Sequence, residues 1–213
     1  MNNIVYLHNL REEKENQLVS FVSKHISATH MYVERQVNIR EKVKAKHIFS
    51  EQISLEKGVV FSSLQDKLFN DWFTYDYVTI SGMTIYQSYI KNANGQKHPL
   101  DSVVHALFMA SVLEPFKVIK TVGENIHAKK LLTGEECVIK TDRKVEEVAP
   151  SSILFLRSIP LLDGQLCVSN IFIQQDDTLI DELLTEYKKS SESWRTFLKK
   201  YSIKYSWTSQ SVK

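Results

Sequence analysis

Apolar residues in the first half of the chain recur at helical intervals. Leu10, Leu18, Phe21, Val22 and Ile26 predict a helix over residues 10–27, with Glu12, Glu13 and Glu15 in its first turns, where the helix dipole favours acids. Val33, Val37, Val43 and Ile48 form a less regular stripe that predicts a second helix over 34–49, and Gly58 ends the pattern. Residues 64–77 are dense in aromatics (Phe69, Trp72, Phe73, Tyr75, Tyr77), which marks core, and Ser81-Gly82 predicts a turn before a helical stretch over 84–91. After a polar loop over 92–99, Asp101 or Ser102 is placed to cap a helix running to Leu113, where Glu114-Pro115 ends it. That helix is apolar on nearly every side, which predicts an interior position.

From Phe116 the period changes to that of strands. Runs at 116–122, 126–132, 137–141, 153–159 and 166–173 are separated by turn residues, and Asp163-Gly164 between the last two is a strong hairpin signal. Five short strands in so few residues predict a small antiparallel barrel or curled sheet. Beyond it, Thr178 and Asp181 suggest a capping box, and Ile180, Leu184, Tyr187, Ser191, Trp194, Leu198 and Tyr201 follow one face of a single long helix. The expected fold is therefore α+β: a helical region over 1–115, a five- to six-stranded antiparallel module over 116–175, and an amphipathic helix and tail over 176–213 that closes one compact unit.

Composition narrows the function classes. The 213 residues are 43% hydrophobic and 24% charged, with a net charge of +2, too small for a dedicated polyanion binder. Lysines outnumber arginines 21 to 6, which weighs against sequence-specific reading of DNA, because the arginine fork is what reads guanine edges. No apolar run approaches membrane-spanning length, and the start of the chain has neither a basic leader nor a cleavage site, so a cytoplasmic protein without membrane contact is expected. Cys137 and Cys167 lie in no CxxC or Cys/His cluster; two reduced, buried thiols and no structural metal are expected.

Catalytic motifs are missing: there is no GxSxG elbow, phosphate loop, GxGxxG or HExxH. Asp101 and His105 share a helix face and His98 lies just upstream, so these three are the candidates for a metal-dependent hydrolase or nuclease; capping for Asp101 and core packing for His105 are the favoured alternatives. A Cys137–His127–Asp142 grouping has no local signature behind it. The acid pairs Glu135-Glu136, Glu146-Glu147 and Asp176-Asp177 read as turns, strand ends or caps. Asp71 and Asp76 flank the aromatic block and read as caps or turns ahead of general acids.

Two basic stretches remain. Arg35, Arg40, Lys42, Lys44, Lys46 and His47 lie on the second helix, and Lys188, Lys189, Arg195, Lys199, Lys200, Lys204 and Lys213 are interleaved with Trp194, Phe197, Tyr201, Tyr205 and Trp207. Cations alternating with rings suit RNA or single-stranded DNA. The rings follow the apolar stripe, however, which favours a docked helix with lysines on its wet face.

Phe69-Asn-Asp-Trp-Phe-Thr-Tyr-Asp-Tyr77, Gly82-Met-Thr, Leu131-Leu-Thr-Gly134 and Leu156-Arg-Ser-Ile-Pro160 resemble segments of a group of poorly characterised bacterial proteins, many of which carry a SEC-C zinc tail. The resemblance covers about residues 64–173 and implies a helical half followed by a β module. The cysteine-rich tail is absent, so zinc binding is not implied, and no catalytic residue is supplied. The leading expectation is a non-enzymatic cytoplasmic protein, bacterial or from a mobile element, that binds another macromolecule. A protein partner is preferred and no cofactor is expected. RNA or single-stranded DNA binding is the alternative, and the hydrolase is third.

Overall fold

The computed structural model describes residues 2–56, 58–93, 98–142 and 148–207. Glu146-Glu147, Lys213 and most of the loop before His98 lie outside the described residues. Five helices precede the strands: α1 (Asn2–Gln36), α2 (Ile39–Gln52), α3 (Ser63–Tyr75), α4 (Ile85–Asn92) and α5 (Asp101–Ala110). The α1 helix is 35 residues long and extends past the expected 10–27 at both ends. Asn38 caps α2 by accepting from the Arg40 N–H, which moves the second helix start later than the apolar stripe suggested. Full capping boxes, Ser62 with Gln65 and Thr84 with Gln87, start α3 and α4.

The helix expected to run to Leu113 stops at Ala110. Pro115 lies inside a strand, and the change of period comes before Phe116. Only one face of α5 is interior: Val104 and Phe108 are buried, whereas Val103 and Met109 are exposed. No side chain caps it from Leu100; the Asp101 carboxylate instead accepts from the His98 N–H at 2.7 Å, a turn before the helix.

Six strands follow: β1 (Leu113–Val122), β2 (Asn125–Lys130), β3 (Glu136–Lys140), β4 (Ile153–Pro160), β5 (Gln165–Cys167) and β6 (Phe172–Gln174). Five of them close a barrel in the order β1-β2-β3-β5-β4 and back to β1, with β6 added beside β4. One pairing departs from the antiparallel expectation: β3 and β5 are parallel, Ile139 opposite Gln165. The expected strand over 166–173 is two short strands on one edge of β4, broken where Ser169 turns its hydroxyl onto the Arg157 N–H. A bulge at Ile119 bends β1 so that it can pair with both β2 and β4.

Phe116, Val118, Ile126, Ala128, Ile139, Leu154 and Leu156 fill the barrel. On β4 the alternate residues Ile153, Phe155 and Ile159 point the other way, into the helical layer, so this strand is covered on both faces. The C-terminal segment closes the molecule as two helices, α6 (Asp177–Lys189) and α7 (Trp194–Ser206). Ser190–Ser193 interrupts the single helix read from the stripe; Ser193 caps α7 by accepting from the Thr196 N–H. Asp176, not Thr178, caps α6. Trp194 Nε1–H donates to Glu114 on β1, and the Gln174 amide on β6 donates to the Tyr205 carbonyl, fastening α7 across the barrel. No helix among the described residues is long and apolar enough to cross a membrane.

The barrel closes between β3 and β5 at Gly164, which has φ +99° and whose missing Cβ would lie 2.5 Å from the Val138 carbonyl oxygen. Gly164→Ala combines left-handed strain with a backbone clash and should cost about 3 kcal/mol, against about 1 kcal/mol for Gly134→Ala in open space. Urea unfolding of both variants checks this; equal losses would show that the close approach relaxes freely.

Candidate functional site

Within the buried run of β4, Arg157 is fully inaccessible, at 0% exposure. A guanidinium cannot shed its proton, so a buried one requires anions. The α3 helix and its C-terminal end supply them. Arg157 donates from Nε to Asp71 Oδ1 at 3.2 Å and from Nη2 to Asp71 Oδ2 at 2.9 Å and Asp76 Oδ2 at 2.6 Å. Its Nη1 donates to the Ser111 carbonyl at 2.9 Å, at the α5 end, and the guanidinium lies 4.8 Å from the Tyr75 ring centre. The aromatic block with its two aspartates and the Arg-x-x-Pro strand end therefore meet in one buried contact.

Two carboxylates face one guanidinium, and the second is incompletely satisfied: Asp76 Oδ1 is buried with no hydrogen-bond partner among the described residues. Burial pushes the Asp76 carboxyl up to about 6, against the pull of Arg157. Burial also opposes the charge on Arg157, but Asp71 and then Asp76 outweigh it and hold the guanidinium above its ordinary pKa. Asp71 and Asp76 are thus structural anions of an ion triad, a role sequence reasoning missed. Its visible signal was an arginine inside an otherwise apolar strand.

The candidate metal triad does not assemble. The His98 ring stacks on Phe21 at 4.6 Å between centroids while its Nδ1 accepts from the Leu100 N–H. Asp101 serves the His98 turn, and half-buried His105 lies beside His25, 5.1 Å between ring centres. His25, absent from the sequence candidates, shares a 2.8 Å hydrogen bond between its Nε2 and the Tyr86 hydroxyl. Burial first, and the neighbouring His105 second, lower its pKa from 6.5 to about 4, while Asp101 pulls the other way. No group of three or more His, Cys, Asp or Glu side chains among the described residues is placed to hold a metal ion. Cys137 on β3 and Cys167 on β5 are half-buried thiols that form no disulfide.

The proposed nucleic-acid residues divide. Lys199 donates to the Met109 carbonyl at the C-terminal turn of α5, Lys200 pairs with Glu192, and Lys204 pairs with Glu182 at 2.7 Å. These lysines fasten α7 to its surroundings. Arg35, Arg40, Lys44, Lys188, Lys189 and Arg195 are exposed. The rings meant for base stacking are mostly interior: Phe197 and Tyr205 are buried, and Trp194 lies against Tyr187 and Phe197.

One cleft of about 400 Å³ opens above the Arg157 triad. Its walls come from α1, from α3, and from the 166–170 segment where β5 breaks off. No protein-family model, curated protein or solved structure matches this chain.

Arg157→Ala strands two buried carboxylates and should cost about 3–5 kcal/mol, measured as a drop in the urea midpoint; a loss within error would show the triad to be dispensable. The two perturbed titrations oppose each other. Asp76, raised from 3.8 to about 6, binds a proton in the native state that the unfolded chain releases, so its contribution is full below about 4 and gone above about 6. His25, lowered from 6.5 to about 4, contributes stability that disappears as pH falls through that interval. Asp76→Asn should therefore steepen the loss of stability on acidification from pH 6 to 4 and His25→Gln should flatten it; parallel pH profiles for the wild type and both variants would refute the assignment.

Proposed function

We propose that this chain is a non-catalytic cytoplasmic protein that works by binding another protein. The observation that carries the reading is the first third of α1. Side chains 6–14 are exposed throughout, and Tyr6, Leu7 and Leu10 lie on one helix side at 70%, 60% and 49% exposure. Apolar side chains gathered at one end of a helix and uncovered by their own chain are what an amphipathic partner helix or groove takes up. The remainder of α1 is anchored: Val22 is buried, and Glu15 pairs with Lys140 on β3. A rigid body thus presents the apolar end at low entropic cost to binding.

Two features weigh against nucleic acid as the main partner: the engagement of Lys199, Lys200 and Lys204 by their own chain, and the burial of the rings between them. The outer face of β1 to β3 carries Lys117, Lys120 and Lys129 but no Phe, Tyr or Trp ring for stacking; its one ring is the half-buried imidazole of His127.

Leu7→Glu combined with Leu10→Glu should abolish capture of a specific protein from the native host while leaving the unfolding midpoint unchanged, and nuclease treatment should not affect wild-type capture. Capture that disappears with nuclease, or that survives both substitutions, would overturn the proposal.

A further inference from the structure

The cleft above the Arg157 triad has the make-up of a small-molecule site, and we propose that it binds a neutral ligand of the nucleoside class. A volume of about 400 Å³ matches such a ligand. Val19 and Val22 on α1 and Leu166 and Val168 beyond β4 line it with aliphatic surface suited to the faces of a flat heterocycle. Asn70 and Asn170 bring amides, which pair two-pronged with the edges of bases.

The second observation is Tyr75. It lines the cleft, is 5% exposed, and its hydroxyl is buried without a hydrogen-bond partner among the described residues. A buried hydroxyl left unpaired is unfavourable, and an acceptor on a ligand would satisfy it. The charge around the cleft disfavours a phosphorylated ligand. Asp71 is neutralised by Arg157, the triad as a whole has one more carboxylate than guanidinium, and the cleft's Lys67 is offset by its Asp142.

Calorimetric titration of the full chain with adenosine, guanosine, cytidine and uridine tests this, with adenosine monophosphate, glucose and leucine as comparison probes. At least one nucleoside should bind saturably with a Kd below about 1 mM and more tightly than its monophosphate. Tyr75→Phe should weaken that binding about tenfold while leaving the unliganded melting temperature unchanged or higher, because the unsatisfied hydroxyl is gone. Ser23→Trp, at an exposed position on the α1 wall, should fill the cleft and abolish binding in a protein that still folds. Absence of saturable binding by all four nucleosides, tighter binding of the monophosphate, glucose or leucine, or affinity untouched by both substitutions would overturn the proposal.

Discussion

A guanidinium sealed from water has to be neutralised where it sits, and that requirement governs how the two halves of this molecule meet. Arg157 is carried by the barrel, whereas Asp71 and Asp76 belong to α3 and the residue that ends it, and Ser111 to the turn between α5 and β1. The contact is directional as well as charged. Removing Arg157 would leave two carboxylates buried without compensation, whereas removing Asp76 would leave the two-pronged Arg157–Asp71 pair, so Arg157 is the member on which the docking of the helical layer depends. Lys199 adds a tie of the same kind, bringing α7 to the last carbonyls of α5 close enough for its charge to be felt at Asp76.

The strand that bears Arg157 explains the layering. Ile153, Phe155 and Ile159 feed the helical clusters while Leu154 and Leu156 fill the barrel, so one strand belongs to two cores. Separate clusters on the two faces of β4 would slide past each other if the interface were wholly apolar, because hydrophobic contact has no preferred direction. The ion triad supplies the direction. The β5–β6 break follows from the same residue: the backbone of Arg157 bonds to Ser169 and Val168, which turns the returning strand aside and leaves the cleft above α3.

Most elements were legible because their signals are local. The aromatic block, the Asp163-Gly164 hairpin, the acids at Asp176-Asp177 and the amphipathic C-terminal stripe all correspond to elements of the structure. Where the reading departed, local and distant interactions disagreed. The stripe through Ser191 continues in register across a break, because α6 and α7 both turn the same kind of face to the core; a periodicity count cannot see the serine caps that separate them. Pro115 reads as a stop signal, yet it lies in β1, whose pairing with β4 around it does not require its missing N–H.

The candidate site was less legible. His98, Asp101 and His105 are near one another along the chain, but the first two satisfy the turn before α5 and the third turns toward His25 of α1. What the amino-acid order determined by itself was the list of elements and the apolar face of each, since helix caps, turns and alternation act between residues a few positions apart. Only the tertiary structure decided that Arg157 would meet Asp71 and Asp76, separations of 86 and 81 residues, because the burial that makes the pairing obligatory exists only after barrel and helices have closed around it.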